Sequence, residues 1–371
     1  MHTTTDIKLF KTKQHFEILD GLRGIAAISV VLFHFMEIAT PDYNDNFIAH
    51  SYLAVDFFFC LSGFVIAYAY DKKIAEIGLW QFFKLRLIRL QPLVLIGSII
   101  GLLAFVFDPF STLHLKFNAF ETILMFLSSC LLIPYPAVPE RYFNLFHLNP
   151  PTWSLFWEYI ANTFYALFLF KIRNKLLWVL TLLAAGLLIY EAHRSGYLGI
   201  GFGGDNVVGG GIRIFYSFLA GMLVYRSRWI IKSRLGFIGM SLLLMPVFFI
   251  PFTEYNWIVD PLIAVFYFPF LIALGAGAQM NLSADWLCKA LGDLSYPLYM
   301  VHYPFIWIFM SYVESMKPTM TEMQYIIPIG TVLLIVLAYL VMTFLDMPIR
   351  NYLKIKLRKN RPATHFKKIF R

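Results

Sequence analysis

Long runs of apolar residues alternate with short polar segments along the whole chain. Each run approaches the length of about 20 residues that a helix needs to cross the hydrocarbon core of a bilayer. Eleven runs are found, near residues 21–40, 52–70, 92–110, 119–135, 153–170, 176–190, 207–225, 235–252, 258–279, 296–313 and 325–345. The pattern therefore predicts an all-α fold, a polytopic bundle of transmembrane helices.

The basic residues between the runs predict how the bundle is oriented. Eleven spans would place the termini on opposite sides, yet both ends of the chain are rich in the Lys and Arg that mark cytoplasmic segments. The run near 119–135 is the weakest, because Pro134, Pro136 and Pro139 interrupt it. If that run is re-entrant, ten spans remain, both termini are cytoplasmic, and 26 of the 31 Lys and Arg residues lie on the inner side.

Composition supports the membrane interpretation and argues against nucleic acid as a partner. Of the 371 residues, 59% are hydrophobic and 14% are charged, whereas soluble domains have roughly 25% charged residues. The net charge of +9 comes from short basic clusters between apolar runs rather than from one basic face of a domain. The three cysteines have no metal-ligand spacing, so we expect no metal site.

The first run contains two ionisable residues that are costly in lipid, Arg23 and His34. Eleven residues apart, they share one helical face and are separated by about 16 Å along the helix axis. An arginine at the cytoplasmic mouth suits a phosphate-bearing ligand. A desolvated imidazole stays neutral and can accept a proton. The spacing leaves equally open that Arg23 only marks the topology and His34 is a satisfied polar contact.

A second basic group precedes the third run, in the segment WQFFKLRLIRLQP at residues 80–92. Its cations, Lys84, Arg86 and Arg89, are interleaved with apolar residues, and we expect the segment to lie along the inner interface. It could clamp the phosphates of a cytosolic cofactor, or it could bind anionic lipid. The pattern alone favours the lipid anchor.

Further ionisable side chains lie in or at the edges of the runs, namely Asp56, Glu158, Arg213 and His302. Asp56 is a candidate to orient or charge-pair with His34, as a carboxylate does in acid–base catalysis. Glu37, one turn after His34, is an alternative partner. Glu158 follows a turn that delivers a span from the outer face. Each of these groups could instead belong to a structural ion pair, which we favour for Arg213.

Several segments of the chain together resemble acyltransferase family 3. They are, in the family's order, LDGLRGIAAISVVLFHF at 19–35, VDFFFCLSGFVI at 55–66, the RxxR element at 86–89, PTWSLFWE at 151–158 and LGDLSYPLYMVH at 291–302. A late acidic-x-Pro element is present as Asp346-Met347-Pro348, where the family more often has Glu. The resemblance covers residues 17–350, and five modest motifs in order are specific.

The resemblance implies a membrane domain at 1–350, followed by a basic cytoplasmic tail at 351–371. It implies an enzyme of the plasma or inner membrane that moves an acyl group, most often acetyl, from cytosolic acyl-CoA to a hydroxyl of a cell-envelope glycan. Arg23, Arg86 and Arg89 would then bind the donor and His34 would act in catalysis. Asp56 and Glu158 are further catalytic candidates. A separate extracytoplasmic protein is a possible partner in the transfer of the acyl group to the acceptor.

Two alternatives stay open at this level. His34 could deprotonate the acceptor hydroxyl, or it could carry the acyl group itself as an acyl-histidine. The chain could also be a transporter or flippase for an envelope glycan or lipid-linked sugar, with its buried charges lining a pathway. Transporters are often built from duplicated halves, and no such internal symmetry is visible.

Overall fold

The structure is a computed structural model that describes residues 16–279 and 285–359. These residues form helices joined by short loops, and no β-strand occurs among them. The all-α fold predicted from the apolar runs is therefore confirmed. The basic residues of the N-terminal end, Lys8, Lys11 and Lys13, lie outside the described residues, as does the tail beyond residue 359.

The α-helices are numbered here in chain order. They are α1 (Glu17–Ala39), α2 (Ala54–Tyr70), α3 (Ile74–Ile77), α4 (Leu79–Val106), α5 (Ala119–Leu131), α6 (Thr152–Leu167), α7 (Asn174–Ser195), α8 (Val207–Arg226), α9 (Gly236–Phe248), α10 (Asn256–Leu262), α11 (Phe268–Ala276), α12 (Asp285–Val301), α13 (Tyr303–Met316), α14 (Met320–Val341) and α15 (Met347–Lys359). Two π-helical segments, Ile263–Tyr267 and Met342–Asp346, join α10 to α11 and α14 to α15.

Seven helical stretches in the described residues are long and apolar enough to cross a membrane. They are Glu17–Ala39, Ala49–Tyr70, Leu79–Val106, Asn174–Ser195, Val207–Arg226, Asn256–Ala276 and Met320–Leu357. Each overlaps one of the eleven apolar runs, so the multi-pass prediction is confirmed. The total of ten spans and the cytoplasmic position of both termini stay predictions.

The run near 119–135 forms only a short helix. Helix α5 has 13 residues, which gives it a length of about 20 Å, against a hydrocarbon core of about 30 Å. A capping box of Asn118 and Glu121 fixes its start, and Leu132 ends it in the left-handed conformation with φ 57°. The polar cap and the early stop are consistent with a segment that does not cross the bilayer alone.

Two predicted boundaries differ from the structure. The helix that contains Arg86 and Arg89 begins earlier than the apolar run near 92–110, because α4 begins at Leu79 and continues for 28 residues. The interfacial position of its basic start stays a prediction. The run near 296–313 is not one continuous helix, because it breaks at His302 between α12 and α13. Pro304 lies two residues after the break, and proline cannot donate a backbone hydrogen bond to the preceding turn.

Close packing of α1 against α12 sets the geometry of the site. A Cβ atom on Gly24 of α1 would come within 2.5 Å of Leu291, and one on Gly292 of α12 would come within 2.7 Å of Asp20. Small residues of this kind let membrane helices approach closely. The side chains of α1 that face α12 are therefore held directly against its backbone.

Candidate active site

His34 and Glu37 form a pair near the C-terminal end of α1. The Nδ1 atom of His34 lies 2.6 Å from Oε2 of Glu37, as expected for residues three apart on one helical face. The two side chains are 18% and 22% exposed, so they are accessible within an otherwise buried region. In the neutral imidazole, donation from Nδ1–H to the carboxylate leaves the lone pair on Nε2 free to accept a proton.

Aromatic rings from the α12–α13 junction surround the His34 imidazole. His302 stacks on it with the ring centroids 5.4 Å apart and an angle of 21° between the planes, and Tyr303 meets it edge-on at 4.6 Å. Nδ1–H of His302 donates to the carbonyls of Leu298 and Tyr299, which leaves its buried Nε2 without a hydrogen-bond partner. The helix break at residue 302 is what presents this second imidazole to the first.

Arg23 lies on the same side of α1 as His34. Its Nε donates to Ser295 Oγ at 2.8 Å, its Nη2 donates to the Gly292 carbonyl at 2.9 Å, and its Nη1 lies 3.0 Å from Asp20. Arg23 thus contacts the middle of α12, while His34 contacts the junction at its end. Both side chains face one continuous segment, in agreement with the spacing of eleven residues.

Arg86 and Glu158 form an ion pair between α4 and α6. Arg86 Nη2 lies 2.5 Å from Glu158 Oε1, which also accepts a hydrogen bond from Ser62 at 3.1 Å. The side chains are 7% and 20% exposed, and the buried Nε of Arg86 has no hydrogen-bond partner. The pair places Glu158 in the arginine cluster, as the partner of a proposed donor-binding residue.

Arg89 lies near both Arg86 and Arg23. It is within electrostatic range of these two cations and of the carboxylates of Asp20 and Glu158. Arg89 is exposed, whereas Arg23 and Arg86 are partly or fully buried. It makes no ion pair or hydrogen bond with any residue that the structure describes. Three arginines from α1 and α4 therefore converge with two carboxylates, which leaves one positive charge in excess.

Asp56 is not the partner of His34. Its carboxylate is fully buried and lies 2.6 Å from Arg213 Nη2. Nη2 also donates to the Tyr52 carbonyl, Nε donates to Asp56, and Nη1 donates to the Ile200 carbonyl. The suggestion that Asp56 orients His34 is thus corrected, since Glu37 occupies that place, and Arg213 forms the structural pair that was favoured for it.

The arrangement combines a carboxylate–imidazole pair with a cluster of arginines on one face of the bundle. Such a site can remove a proton from a hydroxyl and hold a ligand that carries phosphate groups. In the described part of the chain, no three His, Cys, Asp or Glu side chains are grouped so that they could hold a metal ion. The sequence did not predict the contact of His302 and Tyr303 with His34, although Pro297 and Pro304 flank this histidine and signal a break.

Comparison with known families identifies the class to which this fold and site belong. Residues 16–346 match acyltransferase family 3, which is described as an acyltransferase domain. The chain belongs to this family. The resemblance noted from the five motifs is thereby confirmed.

Two bacterial relatives are informative. Over 164 residues, the chain is 37% identical to protein 2 in the picA locus of Rhizobium radiobacter, covering 41% of this chain and 82% of that protein. Over 364 residues, it is 29% identical to the O-acetyltransferase OatA of Staphylococcus aureus, covering 90% of this chain and 57% of that protein. The chain thus spans just over half the length of the staphylococcal relative. No solved structure matches it.

Proposed function

We propose that the protein is an O-acetyltransferase that moves an acetyl group from cytosolic acetyl-CoA to a hydroxyl of a cell-envelope or exported glycan. Membership of the acyltransferase family favours an enzyme over a glycan transporter or flippase. The name of the staphylococcal relative supports an acetyl group and an oxygen acceptor. The observation that carries the proposal is the partly exposed His34–Glu37 pair, on the face of α1 that also bears Arg23.

The pair supplies a general base. Nε2 of His34 takes the proton of the acceptor hydroxyl as its oxygen attacks the carbonyl carbon of the thioester. The tetrahedral intermediate then collapses, the C–S bond breaks, and the sulfur leaves with the proton that His34 gained. The products are an ester and free CoA. Glu37 positions the ring and stabilises the imidazolium that forms.

An acyl-histidine relay is the alternative mechanism. His34 would then attack the thioester itself through Nε2, release CoA, and later pass the acetyl group to the hydroxyl. Rapid quenching with acetyl-CoA in the absence of an acceptor separates the two. A relay gives a burst of CoA equal to the enzyme concentration and a labelled His34, whereas direct transfer gives neither.

The arginine cluster fits the phosphates of the donor. Arg89 is uncommitted, and Nε of Arg86 is a buried donor without a partner, so both have hydrogen-bonding capacity for an anion. A guanidinium offers two parallel donors to a phosphate, which an ammonium cannot. We infer that Arg86 and Arg89 hold the phosphates together with Arg23.

The proposed sidedness places the arginines toward the cytoplasm and the loop 196–206 outside. Single cysteines at Asp205 and Lys232 test this arrangement, since both positions are exposed and the three native thiols are buried. We expect an impermeant thiol reagent to label only the Asp205→Cys protein in intact cells. Labelling of the Lys232→Cys protein would reverse the scheme.

The activity itself is tested with purified protein in proteoliposomes. Labelled acetyl-CoA is supplied without an ion gradient, and the release of CoA and the formation of alkali-labile acetyl ester on envelope glycan are measured. We expect both, and we expect neither from the His34→Ala protein. If glycan crosses the membrane but no ester forms, the transporter hypothesis replaces this proposal.

A further inference from the structure

Four tyrosines surround Glu37 at the His34 end of α1. They are Tyr43, Tyr142, Tyr197 and Tyr303, each within electrostatic range of the Glu37 carboxylate. We refer to them as the tyrosine cluster. The first three lie in separate loops and the fourth begins α13, so distant parts of the chain meet at this point.

Tyr142 is the exposed member of the cluster, with 63% of its surface accessible. It and the following Phe143 adopt left-handed backbone conformations, with φ of 57° and 48°. Two consecutive non-glycine residues in this region are strained, and such strain persists only where the surroundings impose it. The loop therefore holds Tyr142 outward against the intrinsic preference of its backbone.

Buried anchors on both sides explain how the loop does so. Arg141 is 3% exposed, with its guanidinium 4.3 Å from the Trp307 ring and 3.7 Å from Asp108. Asn144 is 4% exposed and forms an isolated backbone bridge to Gly203 in the loop 196–206. Between these two buried anchors, Tyr142 and Phe143 are 63% and 50% exposed.

The chemistry of the cluster indicates its ligand. Burial raises the pKa of the Tyr43, Tyr142 and Tyr197 hydroxyls, and the Glu37 carboxylate raises each further, so they stay protonated donors at neutral pH. Aromatic rings offer a broad apolar face with a polar tip. A pyranose ring is complementary, since it has an apolar C–H face and a rim of hydroxyls. Around Tyr142 the carboxylates of Glu37 and Glu314 outnumber the single guanidinium of Arg141, and this excess of negative charge disfavours anionic sugars.

We propose that the tyrosine cluster is the acceptor subsite and that Tyr142 stacks on an uncharged sugar ring, holding one of its hydroxyls over His34. This inference rests on the proposed function and specifies its acceptor. Ring contacts link this loop to His34. The guanidinium of Arg141, next to Tyr142, lies 4.3 Å from the Trp307 ring. Trp307 meets Tyr303 at 5.0 Å, and Tyr303 meets the His34 ring at 4.6 Å. When the subsite is impaired, water competes with the sugar for the acetyl group.

The test measures how much of the acetyl group reaches glycan. Open membranes from cells that lack the native gene and carry one variant are given labelled acetyl-CoA, and their own glycan serves as acceptor. Ester formed per CoA released is determined in one sample for wild type, Tyr142→Ala, Tyr142→Leu and Tyr142→Phe. Tyr190→Ala is the matched control, since Tyr190 is 64% exposed like Tyr142 but lies on α7 and is not a member of the cluster.

Loss of a stacked ring corresponds to about a tenfold fall in this ratio for the Ala and Leu variants, whereas Tyr142→Phe and Tyr190→Ala stay within about twofold of wild type. The Leu variant preserves most of the side-chain volume and serves if the Ala variant does not accumulate. A wild-type ratio in the Ala or Leu variant overturns the subsite. If wild-type membranes form no more ester than His34→Ala membranes, the proposed function fails instead.

Discussion

Among the arginine–carboxylate pairs of the described residues, Arg213–Asp56 and Arg86–Glu158 differ in how fully the arginine is used. In the Arg213–Asp56 pair the side chains are 2% and 0% exposed, and all three guanidinium nitrogens donate to oxygens of Asp56, Tyr52 or Ile200. In the Arg86–Glu158 pair the carboxylate is 20% exposed and Nε of Arg86 has no partner. Every nitrogen of the Arg213 guanidinium already donates a hydrogen bond, whereas Nε of Arg86 remains available to a ligand.

The comparison separates structural from functional charge in this membrane domain. A charge inside a bilayer is a functional candidate by default, because it is expensive to place there. A closed network such as that of Arg213 offsets the cost within the protein and joins α2 to α8. The Arg86–Glu158 pair and the His34–Glu37 pair are open, in the sense that each keeps a hydrogen-bonding group that a substrate can reach. Residual hydrogen-bonding capacity is therefore a better guide to function here than burial alone.

The largest effect is expected when the proposed general base, His34, is removed. His34→Ala should lower the rate of acetyl transfer by roughly 10²–10⁴-fold, because the general base is lost. The initial rate of ester formation at saturating acetyl-CoA measures this. His193→Ala is the control, since that exposed histidine lies on α7 against Trp257, and it should behave as wild type. Near-wild-type turnover of inserted His34→Ala protein would exclude this residue from the mechanism.

Disruption of the closed Arg213–Asp56 pair should instead lower the stability of the protein. Arg213→Met leaves the Asp56 carboxylate buried without its partner and should destabilise the protein by about 3–5 kcal/mol. Thermal unfolding of the detergent-solubilised protein measures this. Replacing both members by apolar residues, as in Asp56→Leu with Arg213→Met, removes the orphaned charge and should recover much of the loss. A double variant that folds stably but transfers no acetyl would show that the pair has a functional role after all.

The arginine cluster should show a smaller effect, specific to the donor. Arg89→Ala should raise the KM for acetyl-CoA roughly 10- to 100-fold, the loss of one charged hydrogen bond, without lowering thermal stability. Arg86→Ala should raise it similarly and also reduce stability, because Glu158 loses its partner. Arg→Lys should rescue only in part. Lys84→Ala is the control, since its ammonium lies over the Trp80 ring, and it should leave KM unchanged. Unaltered donor KM in both arginine variants would return this helix to the role of a lipid anchor.

Periodicity and motif order were sufficient for the fold class, the family and the shared face of Arg23 and His34. These follow from local rules, since residues eleven apart coincide on a helix and about 20 apolar residues span a bilayer. Helix ends were harder to predict. The local pattern of basic and apolar residues at the start of α4 predicts an interfacial segment. Arg86 is buried because it packs against α6, which the local pattern does not show.

The sequence did not predict which side chains become partners through tertiary contact. From the sequence, Asp56 was the candidate partner of His34 and Glu37 an alternative, because spacing along the chain does not tell which side of α2 faces α1. The structure turns Asp56 toward α8 and leaves Glu37, three residues from His34, as the local partner. The meeting of His34 with His302 likewise depends on a break between α12 and α13 that no periodic pattern specifies.

The smallest effect tests whether the open His34–Glu37 pair is a positioning pair. Glu37→Gln keeps an oxygen that can accept from Nδ1–H of His34, so the tautomer is preserved and only the charge is lost. A charge-assisted hydrogen bond is about twice as strong as a neutral one, so kcat should fall by about tenfold. The donor KM should not change, since Arg23, Arg86 and Arg89 lie in a separate cluster. Glu37→Ala should cost more, because the ring is then free to rotate, and the difference between the two variants distinguishes orientation from charge. Equal kcat in the Gln and wild-type proteins would mean that the carboxylate charge plays no part, and the distinction between open and closed pairs would then rest on Arg86 alone.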